Sequence, residues 1–166
     1  LIPFIEDASA TGHVGLESDG DFFYNPSTGR VSSTQSKVTA RILGVTSSTD
    51  NDYNGDVIYT VGGSSTLGNL VYMRTDGAWA DADADNADTS TVMLGIALGT
   101  DPETDGILIR GMYTLDHDVG NNQGVPLYVS TTAGVITATA PSGSGDIVRV
   151  VGYNLGDDDQ IWFDPS

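Results

Sequence analysis

The sequence predicts an all-β protein, an antiparallel barrel or sandwich made of two related β units, and three observations carry that reading. Short runs of alternating apolar residues are cut at regular intervals by Gly, Pro, Asp and Ser, which is the pattern of half-buried strands and their turns. No window keeps apolar residues at i, i+3, i+4 and i+7 long enough to argue a helix. The longest candidate, 79–88, alternates Asp with Ala and lacks a wide apolar face. Glycines also recur at a fixed offset: Gly77 to Gly134, Gly95 to Gly152 and Gly99 to Gly156 are each 57 residues apart, while Tyr72 to Tyr128 is 56. Two copies at one period point to a duplicated β unit, whereas a solenoid would need about three or more.

Taken in order, residues 1–36 read as an extended arm carrying a hairpin. Pro3 marks the apolar Leu1–Ile5 as an edge or extended segment. Phe22, Phe23 and Tyr24 meet Arg30–Ser33 across the turn signal Asn25-Pro-Ser-Thr-Gly29. A lone hairpin is marginally stable, so Ile2, Phe4, Ile5, Phe22, Phe23 and Tyr24 are the expected contact with another subunit. Residues 37–166 form the β domain, with its halves at 55–105 and 106–166. Val38–Val45 reads as a strand, Asn54-Gly55 as a turn signal, and 55–61 as the next strand. Residues 68–99 form the first copy, and 106–115 is the longest apolar strand outside the copies. The second copy brings four strands within 125–129, 134–138, 147–155 and 160–163.

The chain has 23 acids against 6 bases, a net charge of −17, and 20 of the acids are Asp, which favours turns and caps over helix interiors. Nothing in this balance neutralises phosphates, so naked nucleic acid is not the expected partner. The same charge predicts poor affinity for anionic membranes. No stretch approaches the roughly 20 apolar residues of a membrane-spanning helix. There are no cysteines, which excludes disulfides and thiol chemistry. The chain begins at Leu1 without a signal-peptide pattern and reads as a fragment or a processed form.

Two clusters could carry chemistry. Asp81, Asp83 and Asp85, with Asp88 close behind, have the i, i+2, i+4 spacing that opens a calcium loop. The match then fails: Asn86 stands where the turn needs Gly, Val92 stands where the loop ends in Glu, and the flanks are not helical. A calcium site there would need carbonyls and other acids to complete it, and the alternative is a solvated acidic loop. In Asp116-His117-Asp118 a histidine stands beside two carboxylates, with only His13 as a second imidazole, and it reads as a polar loop. The arginines at 41, 74, 110 and 149 fall in or beside strands and are read as surface charge or as partners of the many Asp. Nucleophile-elbow, zinc-protease, P-loop and dinucleotide motifs are absent. The chain is therefore read as not an enzyme and as needing no cofactor, calcium apart.

Several of these segments resemble a domain recurrent in virion proteins of tailed bacteriophages, particularly aquatic ones. They are Leu94-Gly-Ile-Ala-Leu-Gly99, Gly106-Ile-Leu-Ile-Arg-Gly111, Val125-Pro-Leu-Tyr-Val-Ser-Thr-Thr-Ala-Gly134, the run from Ala140 to Tyr153, and Gln160-Ile-Trp-Phe-Asp-Pro165. Ile2-Pro-Phe-Ile-Glu6 and Tyr24-Asn-Pro-Ser-Thr-Gly29 resemble the segments that precede such domains in tail-fibre and particle-surface proteins. The resemblance implies a non-catalytic structural protein on the outside of the virion, a capsid decoration protein or a fibre module. It further implies a homo-oligomer, commonly a trimer, attached to other virion proteins. The competing expectation is a calcium-dependent adhesin or carbohydrate-binding module for a host surface glycan, motivated by the Asp81–Asp88 run and by Trp79 as an exposed aromatic.

Overall fold

The computed structural model describes residues 27, 43–44, 47–120, 122–156 and 159–165, together with the backbone of 22–25 and 30–33. The chain divides into two units, Leu1–Arg41 and Ile42–Ser166. In the first, β1 (Phe22–Asn25) pairs antiparallel with β2 (Arg30–Ser33), Phe22 opposite Ser33 and Asn25 opposite Arg30. Ile2, Phe4 and Ile5 lie outside the described residues. So do the side chains of Phe22, Phe23 and Tyr24, and most of the strand expected at Val38–Val45.

The second unit is built almost wholly from strands: β3 (Tyr53–Ile58), β4 (Leu70–Met73), β5 (Trp79–Asp81), β6 (Leu94–Ala97), β7 (Ile107–Thr114), β8 (Pro126–Val129), β9 (Ile136–Thr137), β10 (Val150–Asn154) and β11 (Gln160–Phe163). All pair antiparallel in one sheet curled as a half-barrel, in the order β5-β4-β6-β7-β11-β10-β8-β9, with β3 lying along β7 off this path. The helix-free expectation fails at one place. Ala87–Ser90 forms a single turn, α1, because the Asn86 side chain accepts the Asp88 N–H at 2.9 Å and so caps it.

The repeat is visible in the pairing itself, with an offset of 56 residues from β4 to β8, 57 from β5 to β9 and from β6 to β10, and 54 from β7 to β11. Leu70 opposite Ile96 is repeated by Pro126 opposite Tyr153, and Val71 opposite Gly95 by Leu127 opposite Gly152. Met73 opposite Trp79 recurs as Val129 opposite Ile136. Ile96 opposite Leu108 recurs as Tyr153 opposite Trp162. Turns follow the same rule: Gly68 N–H to Ala97 O at 2.9 Å is matched by Gly124 N–H to Asn154 O at 2.7 Å. The strand order is therefore a palindrome, β5-β4-β6-β7 facing β11-β10-β8-β9. Strand β7 serves both halves, pairing β6 through Ile107 and Leu108 and β11 through 111–114.

A bulge makes that double service possible. Opposite β3 the register jumps from Asp56–Arg110 to Val57–Leu108, so Ile109 is the extra residue in β7. Gly111 follows with φ 147°, and a Cβ on it would sit 2.5 Å from the Asn54 carbonyl oxygen. Gly55 stands directly opposite, where a Cβ would lie 2.2 Å from the Arg110 oxygen. Asn54-Gly55 is thus not a turn, as its dipeptide suggests, but the middle of β3. There glycine is required because two backbones touch.

The two ends of the curled sheet are tied by backbone bonds. Leu70 N–H donates to Gly134 O at 2.8 Å, Gly134 N–H to Ala82 O at 2.8 Å, and Ala84 N–H to Ser130 O at 2.9 Å. Ala82 and Ala84 are fully buried, so the Asp–Ala alternation is a strand-like period of two. Its small inward side chains fit a seam where chains cross closely. Inside lies the main core, with Leu70, Leu94, Ile96 and Leu108 from the first half meeting Leu127, Val129, Ile136, Ile161 and Phe163 from the second. A smaller cluster of Val71, Trp79, Ala97 and Ile107 packs with Ile58, Met73 and Ile109.

Candidate interaction surface

Strand alternation decides which side chains of β7, β11 and β10 face away from the core. Tyr113, Ile161 and Phe163 point in, so Met112 and Trp162, one position along, point out. Pairing then extends the outward row across five strands: Asn54 on β3, Met112 on β7, Trp162 on β11, Tyr153 on β10 and Pro126 on β8 stand side by side. Tyr153 is 47% exposed, Trp162 is half-buried, and Met112 is shielded between its neighbours at 9%. Arg110 lies on the same face after the bulge. Its guanidinium stacks 5.5 Å from the Trp162 ring centroid, and its Nε lies 3.5 Å from an Asp164 oxygen. Asp56 stands directly across from it.

This face is not where the sequence placed an aromatic site. Trp79 is 2% exposed and gives its indole N–H to Thr60 Oγ1 at 2.6 Å, so it belongs to the smaller core cluster rather than to a surface. The tryptophan on the outer face is instead the half-buried Trp162, which reads in the sequence only as part of the last strand. Nothing in alternation alone says which face of that strand is buried.

The acidic run folds through its own hydrogen bonds. Asp83 accepts the Asp85 N–H at 2.9 Å, and Asn86 caps α1, so the run's polar groups set turns. Asp81, Asp85 and Asp88 are exposed. Lost hydration and the charges of Asp83 and Asp146 push the Asp85 carboxyl above its ordinary range. Among the described residues, no group of three or more His, Asp or Glu side chains is arranged to hold a metal ion, those at 81, 83, 85 and 88 included.

His117 is a clasp. Its Nδ1 lies 2.9 Å from Asp116 Oδ1 and its Nε2 lies 2.8 Å from the Ile136 carbonyl oxygen, joining the loop after β7 to the hairpin of β8 and β9. Both partners are acceptors, so only the doubly protonated ring donates to each. Burial opposes that charge, but the Asp116 carboxylate and the Ile136 carbonyl outweigh it and raise the pKa.

The arginines divide. Arg74 pairs with Asp76 at 3.0 Å on the surface, and Arg110 with Asp164, as a surface-charge reading expects. Arg149 instead binds carbonyls: Nη1 donates to Ser90 O at 2.7 Å and to Val92 O at 2.6 Å, and Nη2 to Pro165 O at 3.4 Å. Burial lowers its pKa. Arg41 lies outside the described residues. Comparison of the chain with protein-family models, with curated proteins and with solved structures yields no match.

Proposed function

We propose that this chain is a non-catalytic structural protein on the outer surface of a bacteriophage particle, a capsid decoration protein or a fibre module. It acts by self-assembly and by attachment to other virion proteins. The observation that carries this reading is where the large side chains go. Met112, Trp162, Tyr153 and Arg110 gather on one outer sheet face, and these are the residue types enriched at protein contacts. The likeness of 94–99, 106–111, 125–134, 140–153 and 160–165 to phage virion domains supplies the particle. The acidity suits an exposed part that must stay soluble at high local concentration. In this reading the arm, through Ile2, Phe4, Ile5, Phe22, Phe23 and Tyr24, joins copies into a trimer. Gold labelling of intact virions with an antibody to residues 37–166 tests the location. Label on the head surface supports decoration, label on the tail supports a fibre, and label on neither removes both.

A further inference from the structure

Among the described residues, the sheet's last strand has one edge that no other strand covers. β9, only Ile136 and Thr137, ends the strand path and pairs with β8 alone. Ser130 N–H donates to Val135 O at 3.1 Å, so the Val135 carbonyl points toward β8, and antiparallel alternation turns the Ile136 carbonyl away from it. His117 Nε2 meets that outward carbonyl at 2.8 Å, while Nδ1 lies 2.9 Å from Asp116 Oδ1. A doubly protonated ring therefore stands where a neighbouring strand would give its N–H. The place matters to the core. Ile136 is fully buried, and Gly134, two residues earlier, carries the seam: its N–H donates to Ala82 O and its carbonyl accepts the Leu70 N–H, both at 2.8 Å.

We infer that the His117 proton is a latch on this open edge: the charged ring holds β9 to the loop after β7, and the neutral ring releases it, opening the end of the sheet locally. The latch is independent of the assembly reading. A neutral ring has a single N–H for two acceptors. The Asp116 carboxylate is the stronger acceptor, so the proton stays on Nδ1. Nε2 then turns a lone pair to the Ile136 oxygen, and two acceptors in contact repel. The carbonyl is fixed by its strand, so the contact is relieved only when β9 and the loop part. Among the described residues the charged groups around the ring are all acidic. Asp116 and Asp118 flank it in its own loop, Asp118 accepting the Gly120 N–H, and Asp159 acts on it from the turn before β11. The hairpin residues beside the ring offer the hydroxyls of Ser130, Thr137 and Thr139 and no charge. Burial opposes the ring's charge, but the Asp116 and Ile136 bonds and the charges of Asp116 and Asp159 outweigh it. The folded ring thus keeps its proton above the ordinary histidine value of about 6.5. The latch is closed below that value and is lost as pH rises through the raised one.

Amide hydrogen exchange on the full chain, read by NMR across a pH series that spans the His117 ring titration, tests the latch. Each rate is compared with that of an unstructured peptide at the same pH, so base catalysis cancels. The amides of Gly134, Leu70 and Ser130 are expected to lose protection about tenfold or more as the ring titrates. Once the ring is neutral, their exchange should depend less on urea than that of Asp164, whose N–H holds β11 to β10 through the Val151 carbonyl. A smaller urea slope marks an opening of β9 without unfolding of the whole domain. Ring nitrogen shifts should show the neutral ring protonated on Nδ1. Asp116→Asn removes the carboxylate that favours the charged ring, and it should move the ring titration and the loss of protection to lower pH together. His117→Gln has no proton to lose there, and its protection should stay flat across the series. Constant protection at Gly134 through the wild-type titration overturns the latch, and so does a neutral ring protonated on Nε2. A urea slope at Gly134 equal to that at Asp164 overturns it too, because the proton would then act on global stability alone.

Discussion

Arg149 shows how a single residue resists a reading from composition. Among 23 acids it pairs with none of the described ones and instead gathers the carbonyl oxygens of Ser90, Val92 and Pro165. It thereby ties α1 and the start of β6 to β10 and the chain's last residues. Charge-assisted hydrogen bonds contribute about 1.5–3 kcal/mol each when a buried acceptor depends on them. Arg149→Met keeps the stem and removes the donors, and it should lower the urea unfolding free energy by about 2–3 kcal/mol with the slope unchanged. Arg149→Lys should recover less than half of that, since one ammonium cannot span the fork. A neutral Arg149→Met would deny the clasp any energetic role. His117 gives a pH-dependent counterpart. Its folded pKa is raised, so its contribution is complete below the unfolded value of about 6.5 and is lost as pH rises through the folded value. The stability gap between wild type and His117→Gln should be largest below the unfolded value of about 6.5 and shrink as pH rises through the raised folded value. A gap independent of pH, read from denaturation midpoints, would contradict the assignment of a protonated ring.

Among the elements, the duplicated glycines are the sharpest test of the two-half construction. Gly95 and Gly152 occupy the same place in β6 and β10, and each lets a neighbouring strand approach. A Cβ at Gly95 would lie 2.3 Å from Ile107 Cγ2, and one at Gly152 would lie 2.1 Å from the Trp162 carbonyl oxygen. Alanine at either site should destabilise, by about 1–3 kcal/mol. Gly152→Ala should lie at the upper end, because backbone yields less than a side chain does. The turn glycines behave likewise: Gly77 and Gly134 have φ of 84° and 80°, but only Gly134 is crowded, by Asn69. Alanine should therefore cost more at Gly134 than at Gly77, where the left-handed backbone alone contributes about 1 kcal/mol. Thermal melts of the four variants check both orders, and equal losses at Gly77 and Gly134 would sink the second.

At the scale of the molecule, the arm and the β domain are expected to separate cleanly. The chain divides after Arg41, and the domain's strands pair with one another from β3 onward. Deleting residues 1–36 should leave the circular dichroism spectrum and melting of the β domain intact while weakening self-association. Apolar side chains such as Phe4, Ile5 and Phe22 are worth about 1.5–3 kcal/mol each if a neighbouring copy buries them. Sedimentation of full and truncated chains in physiological salt decides it: equal association of the two forms would leave the arm without this role. Self-repulsion between copies of −17 each makes the loss steeper at low salt.

The class of fold, most strand positions and the duplication can be read from the amino-acid order alone. Those rest on local chemistry: period-two alternation, turn residues, and glycines where φ is positive or backbones touch. β8 and β11 lie where Val125–Val129 and Gln160–Phe163 read as strands, and the offsets of 56 and 57 recur as matched register. Which face of each strand is inside follows from packing between distant strands. One residue, Ile109 in the β7 bulge, reverses that parity along the strand, and no local pattern announces it. Likewise only tertiary packing makes Trp79 a core residue, covered by the segment after β3, and leaves Trp162 half-buried on the outer face. The Asp–Ala run reads as a ligand loop or a solvated loop until the seam is seen, because burial of Ala82 and Ala84 depends on Gly134 and Ser130, residues some fifty positions away that only the closing of the sheet brings to them.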